Sequence, residues 1–290
     1  MDLTNIHEIK DLLAHHGFRF SKALGQNFLC AAWVPVQTAE LAGLDEDTGV
    51  LEVGPGIGCL TVELARRAKK VLSVELDRAL QPVLAETLAG LDNVVVQFGD
   101  IMKLDLDALA AEHFADCRRV VVCANLPYNI TSPVLTAFTD CRAFEAVTVL
   151  IQREVARRIC ARENTADYGA FTVLMQWHWT AEPGFDVAPG CFIPAPKVTS
   201  SVIRLSRRET PPCAVRDETA MFRLVRAAFN QRRKTLVNAM VHGLGLSRER
   251  ALAGLAQCGL PETIRGEALS VTQFAALSDA LGLDSQAKLG

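Results

Sequence analysis

Long apolar runs are missing from this 290-residue chain. No predominantly apolar stretch reaches the ~20 residues that a bilayer-spanning helix needs, so no membrane partner is expected. Met1 to Gly17 mixes Asp2, His7, Glu8, Lys10 and Asp11 among its apolar residues and so lacks the core of a secretory signal, which makes the cytoplasm the expected location. The six histidines form no HExxH pattern, and the nine cysteines include no CxxC pair. Neither a metal site nor a disulfide framework is expected, and the thiols read as reduced and mostly buried. Low-complexity segments and internal repeats are absent as well.

What is present belongs to a globular protein. Half the residues are hydrophobic and 22% are charged, enough for a sizeable core, and the length suits one α/β domain with a smaller companion. The net charge of −3 argues against a nucleic-acid partner when taken alone, but it is unevenly spread. Between Cys141 and Met240, 15 Lys and Arg face 9 Asp and Glu, which allows a basic surface on an acidic protein.

From Gly49 onward, β-branched runs alternate with helical patterns. Val50 to Val53, Val71 to Glu75, Val94 to Phe98, Val120 to Ala124 and Val147 to Ile151 read as strands of a parallel sheet covered on both faces. Leu60 to Ala68, Asp77 to Ala89 and Ser132 to Thr139 read as crossover helices, giving a doubly wound α/β pattern. Phe171 to Trp179 and Val198 to Leu205 read as a late antiparallel pair at the sheet edge, with His178 a strand residue among aromatics. Thr210, Pro211 and Pro212 suggest a linker, after which Phe222, Val225 and Phe229 are spaced for one helical face. The expected domains are 1–209, α/β, and 210–290, helical.

Leu51-Glu52-Val53-Gly54-Pro55-Gly56-Ile57-Gly58 places three glycines between the first strand and a helix, where glycine permits a tight turn and close ligand approach. The spacing is GxGxG and departs from the GxGxxG of dinucleotide sites. Pro55 also removes an amide that a phosphate cradle would want. A nucleoside ligand without pyrophosphate fits better, and S-adenosylmethionine meets that description. Glu75, ending the second strand, is placed to accept both ribose hydroxyls, and Asp100, after the third, to accept from an adenine amino group. Acids at strand ends are usually helix caps, so the weight lies on their combination with Gly54 and Gly56.

Asn125-Leu126-Pro127-Tyr128 follows the fourth strand. The string looks like the NPPY-type motif of methyltransferases acting on amino groups conjugated to a planar ring. Such a nitrogen is a poor nucleophile because its lone pair is delocalised. An amide oxygen from Asn125 and a backbone carbonyl near Leu126 or Pro127 can accept its two N–H bonds and favour a tetrahedral geometry, while Tyr128 can stack on an extruded base. A sulfonium methyl donor needs no general base, which agrees with the lack of a candidate histidine.

With Lys22-Ala23-Leu24-Gly25-Gln26-Asn27-Phe28-Leu29, Tyr168-Gly169, the 192–201 run FIPAPKVTSS and the 228–235 run AFNQRRKT, the chain resembles the small-subunit (16S) ribosomal RNA adenine dimethyltransferases, the kasugamycin-sensitivity family, over essentially its full length. The resemblance implies a class I S-adenosylmethionine methyltransferase fold, a Rossmann-like seven-stranded sheet with a small all-helical C-terminal domain. It implies dimethylation at N6 of two adjacent adenosines near the 3′ end of 16S ribosomal RNA within the small ribosomal subunit, by a monomer. It makes Asn27, Leu29, Gly54, Glu75, Asp100 and Asn125 cofactor contacts, with Asn125 also facing the target amine. Methylation of 23S ribosomal RNA, as by the resistance methylases, and a non-catalytic role in ribosome assembly are the alternatives. Leu126 and the 228–235 run favour the small-subunit branch, although Thr199 stands where Asp is frequent.

The expected RNA contacts are Arg153, Arg157, Lys197, Arg226, Arg232, Arg233 and Lys234, basic residues clustered as phosphate-binding surfaces commonly are, with Arg204 a further extension.

Overall fold

The β-branched runs form strands. The computed structural model describes residues 1–21 and 24–285, and its main sheet has seven strands. They are β2 (Thr48–Val53), β3 (Lys70–Glu75), β4 (Val94–Phe98), β5 (Arg119–Asn125), β6 (Phe144–Gln152), β7 (Trp179–Val187) and β9 (Ser200–Arg207), in the spatial order β4-β3-β2-β5-β6-β9-β7. The short β1 (Phe28–Leu29) and β8 (Phe192–Ile193) pair separately and antiparallel. The five strands from β4 to β6 run parallel, and β9 lies antiparallel to β6. Lys22 and Ala23 of the 22–29 signature fall outside the described residues.

The register explains the core. Val50 pairs with Val71 on one side and Val121 on the other, so the three side chains share one face of the sheet. They are fully buried against Ala39 and Ala42 of α2 (Trp33–Ala42) and Leu60 and Leu64 of α3 (Cys59–Ala65). A second cluster joins Ile9, Leu12 and Leu13 of α1 (Ile6–His15) to Val83 and Leu84 of α4 (Gln81–Thr87) and to Phe28. Asn5 caps α1 by accepting from the amides of His7 and Glu8. The crossovers continue with α5 (Leu106–Phe114) and α6 (Thr131–Asp140).

The chain divides into two compact units, residues 1–156 with 181–207, and residues 157–180 with the chain from Arg208 onward. A boundary near residue 210 therefore differs from this division, because 157–180 groups with the later helices. The second unit contains α8 (Ala170–His178), α9 (Glu218–Asn230), α10 (Leu236–Leu244), α11 (Arg248–Gln257) and α12 (Val271–Ala280), and part of α7 (Arg153–Ile159). On α9, Met221, Leu224, Val225 and Ala228 line one face of a core shared with Trp177, Val237, Leu255 and Phe274. Phe222 and Phe229 pack against the same core.

Residues 171–179 correct the sequence reading. They form α8 up to His178, not a strand, and the edge strand is Trp179–Val187. Thr172 and Gln176, one helical turn apart, both bond carbonyls at and beyond the end of α7: Thr172 Oγ1 donates to Arg158, and Gln176 Nε2 to Ile159 and Ala161. Those orphan carbonyls reward a helix and override the β preference of a Val- and Trp-rich run. His178 accordingly ends a helix and stacks on Phe222. Pro183 and Gly184 lie within β7, tolerated because it is an edge strand.

Candidate active site

Strand order reverses between β2 and β5. From β2 the chain moves outward through β3 to β4, then returns to the other side of β2 as β5. Because β2 and β5 are parallel neighbours, the loops leaving their carboxyl ends face each other across a topological switch point, where open α/β sheets bind ligands. The loops are the glycine turn, 54–58, and the NLPY segment, 125–128. They border a cleft of about 980 Å³ counted with the solvent at its mouth. Asn27, Leu29, Gly54, Gly56, Glu75, Asp100, Asn125, Leu126, Pro127 and Tyr128 all line it.

The glycines do different work. Gly54, Gly56 and Gly58 all have positive φ, at 71°, 59° and 88°, which a side chain would strain. At Gly54 a Cβ would come no nearer than 3.6 Å to Pro127, so this position keeps the gap between the two loops open. At Gly56 it would strike the Phe28 ring at 2.9 Å, so this glycine permits a packing contact. The Gly56 amide donates to Glu75 Oε2 at 3.3 Å, and Glu75 Oε1 accepts from Asp77 N at 2.8 Å. Burial raises the Glu75 pKa against the lowering effect of these two amides. Asp100 combines the two roles that its position allows. Its Oδ1 caps a short 3-10 turn by accepting from Met102 N at 3.0 Å, while the residue also lines the cleft. The 24–29 segment is tied to the end of β3 by Gln26, whose Nε2 donates to Asp77 Oδ2 at 2.7 Å.

Of the two backbone carbonyls at Leu126 and Pro127, one is already engaged. The Pro127 carbonyl already accepts from Ile130 N at 3.2 Å and Thr131 Oγ1 at 3.1 Å, which fills both lone pairs. The Leu126 carbonyl is left as the acceptor, while its side chain is buried and its amide donates to Leu150 O. Asn125 Nδ2 donates to the Asn27 carbonyl at 3.2 Å, which orients the amide and reserves Oδ1 as an acceptor. The half-buried Tyr128 is held through its hydroxyl to Ser200 Oγ at 2.6 Å, and burial raises its pKa.

Three cleft residues escaped the sequence reading. Glu52 is 1% exposed, its Oε2 accepting from Thr61 Oγ1 at 2.7 Å and Ser73 Oγ at 2.6 Å, with no cationic partner among the described residues. Burial pushes its pKa up to about 7, and the two hydroxyls only partly offset this. The available signal was a carboxylate inside an otherwise apolar strand. Leu76, 52% exposed, and the buried Ile101 add apolar lining beside Glu75 and Asp100, suited to flank a planar ring. A cationic nucleoside fits this donor set: two buried carboxylates lack a counter-charge among the described residues, and apolar surface lies beside the acceptors.

The basic residues are more scattered than their sequence clusters. In the first unit Lys197 is exposed, and Arg153 meets Asp186 at 3.5 Å. In the second, Arg157, Arg226, Arg233 and Lys234 are exposed. Arg232 departs from the expectation of a free phosphate ligand, since its Nε donates to Glu267 at 2.8 Å and its Nη2 to the Thr165 carbonyl at 3.1 Å. Arg204 turns inward, donating from Nη1 to the Leu41 carbonyl.

No helix of the described residues is long and apolar enough to cross a membrane. The family described as "Ribosomal RNA adenine dimethylase" matches residues 17–280. "Ribosomal RNA small subunit methyltransferase A" of Geobacillus thermodenitrificans (strain NG80-2) is 43% identical over 284 residues, 97% of each chain. The protein of that name from Streptococcus pneumoniae (strain P1031) is 41% identical over 280 residues, 94% of this chain and 95% of its own. Among solved structures, the 23S rRNA methyltransferase ErmE matches with a TM-score of 0.67 at 29% identity, over 88% of this chain and all of ErmE. A dimethyladenosine transferase from Plasmodium falciparum matches with a TM-score of 0.72 at 22% identity over 87% and 97%, a likeness of fold. The chain belongs to the ribosomal RNA adenine dimethylase family and is an S-adenosylmethionine-dependent methyltransferase.

Proposed function

We propose that the protein, acting as a cytoplasmic monomer, dimethylates N6 of two adjacent adenosines near the 3′ end of 16S ribosomal RNA within the small ribosomal subunit. The observation that carries this reading is the Asn125 amide. Its N–H is directed to the Asn27 carbonyl, which leaves its oxygen as an acceptor at the end of β5, the strand paired with β2 and its glycine turn. With the carbonyl of the next residue, Leu126, this oxygen offers two acceptors to an amino group with two N–H bonds to donate.

In this reading Gly54, Gly56, Asn27, Leu29, Glu75 and Asp100 hold S-adenosylmethionine. Glu75 takes the ribose hydroxyls on the lone pairs that its two amides leave, and the second oxygen of Asp100 takes an adenine N–H. The bound cofactor supplies an electrophilic methyl group on a sulfonium. Asn125 Oδ1 and the Leu126 carbonyl draw the adenine nitrogen toward a tetrahedral geometry, Pro127 shapes the turn, and Tyr128 offers its ring to the base. Positioning of this kind is worth up to several kcal/mol, and hydrogen bonds that tighten in the transition state add to it. The helical second unit, with Arg157, Arg226, Arg233 and Lys234, and the first unit's Arg153 and Lys197 supply phosphate contacts.

Labelled methyl transfer to unmethylated small subunits, followed by nucleoside analysis, tests the proposal. Dimethyladenosine at adjacent positions is expected, and its absence with folded, cofactor-binding protein refutes it. Primer extension separates this from methylation of 23S RNA, the activity in ErmE's name. Glu75→Ala is expected to weaken cofactor binding by about 1.5–3 kcal/mol for one lost charged hydrogen bond, read by calorimetry. Unaltered affinity removes Glu75 from the site. Replacing Arg233 and Lys234 together by Gln should lower the slope of log K against log salt by up to about 2 for RNA binding, and an unchanged slope places the footprint elsewhere.

A further inference from the structure

Beyond the cleft, a second donor cluster lies where α1 ends against α4. His15 is the last residue of α1, and His16 is its C-cap, with φ −87° and ψ 4°. Successive helical side chains normally diverge by about 100°. Here the two rings meet edge to face at 5.0 Å, so both imidazoles are turned to one place. Glu86, 70 residues away in sequence, completes the group from α4, its Oε2 lying 2.7 Å from His16 Nε2. One donor atom from each of the three residues falls within 4.8 Å of the others.

We propose that His15, His16 and Glu86 bind one zinc-class divalent ion that straps the end of α1 to α4. Two imidazole nitrogens and a carboxylate oxygen form a borderline donor set that suits Zn²⁺ and not the all-oxygen preference of Mg²⁺ or Ca²⁺. Metal–ligand bonds of ~2.0–2.1 Å place tetrahedral donors ~3.3 Å apart, against a present spread within 4.8 Å. Solvent completes the coordination, since His15 and Glu86 are exposed. The backbones beneath are already set, because Ile9, Leu12 and Leu13 of α1 share a buried cluster with Val83 and Leu84 of α4. Phe28 belongs to that cluster and also lines the cofactor cleft, so the strap would stiffen one wall of the active site without touching reactants. A His16–Glu86 ion pair alone accounts for one of the contacts but not for the convergence of His15.

The spacing of the ligands hid the site from the sequence: residues 15, 16 and 86 make no motif, and only the packing of α1 on α4 assembles them. The test uses the full chain, stripped with chelator and titrated with ZnCl2 by calorimetry and with CoCl2 by absorbance. Expected are 1:1 binding with Kd on the order of micromolar, and a Tm rise of about 5–10 °C at a hundredfold excess over Kd. His15→Gln keeps the His16–Glu86 contact and is expected to weaken Zn²⁺ binding by about tenfold or more, as is Glu86→Gln. The Co²⁺ complex should show visible d–d bands without thiolate charge transfer. Failure to take up Zn²⁺ at 100-fold the expected Kd (~100 μM), affinity unchanged in His15→Gln, or charge-transfer bands that place the ion on cysteines would each overturn the proposal.

Discussion

Replacing Asn125 with Ala is expected to lower the single-turnover rate of methyl transfer on the order of 10²-fold or more, with binding of the small subunit kept. The size follows from what the amide does. Its Nδ2 is committed to the Asn27 carbonyl, so rotation cannot present a donor to the cleft in place of the acceptor. Ala removes that acceptor and leaves the Asn27 carbonyl without its partner. The Leu126 carbonyl remains, which gives the amine one acceptor for two N–H bonds. RNA affinity arises largely from phosphate contacts and should hardly move. Filter binding and single-turnover transfer, measured on the same preparation, separate the two effects. A rate equal to that of the wild type would show that the NLPY segment is only a turn.

A second large effect belongs to Glu52. In the folded protein its pKa is about 7, against an ordinary carboxylate value of 4.5, because it is buried without a cation. Below about pH 4.5 both folded and unfolded chains hold the proton and this contribution is whole. As pH rises through about 7, the unfolded chain has lost its proton while the folded one must ionise a buried group, so stability falls. The loss is on the order of 3 kcal/mol. Glu75 is shifted in the same direction, so the informative quantity is the difference between the wild type and Glu52→Gln. Urea unfolding at about pH 5 and pH 8 should show that difference changing by about 2–3 kcal/mol, part of the loss having occurred by pH 5, because the Glu52→Gln variant lacks this part of the slope. Parallel profiles for the two proteins would mean that Glu52 is ionised throughout. A bound cation favours the carboxylate, so cofactor binding near neutral pH should also release a proton, visible as a buffer-dependent heat.

Much of the site was legible because its residues lie at strand ends, and strand ends can be read from apolar runs. Gly54, Glu75, Asp100 and Asn125 each follow or finish a run of β-branched residues, and parallel pairing brings all four to one edge. Hydrogen bonds between residues far apart in sequence were not legible. Only the fold shows that the Pro127 carbonyl is already occupied, that Arg232 is held by Glu267, or that Gly56 serves the Phe28 ring. Residues 171–178 were misread because β-branched and aromatic residues carry the same signal in a strand and in a buried helix. The deciding factor was the set of carbonyls around the end of α7 that Thr172 and Gln176 satisfy. Segment 157–180, read with the first domain, groups with the later helices in the compact units, and no linker composition marks a chain that leaves a unit and later returns.

The direct pairing of β2 with β5 bears on which lengths of chain can vary. The span between the glycine turn and NLPY is set by main-chain ladder bonds, so side-chain exchanges within these strands alter stability while leaving that span alone. Dropping one residue from β5 would retract its loop by ~3.3 Å and turn its alternate faces over, a displacement as large as the whole reacting distance of ~3–3.5 Å. Connections at the opposite rim, such as 43–47 and 117–118, carry no such constraint. Insertions and deletions in homologous chains should therefore collect at that rim and avoid the central strands.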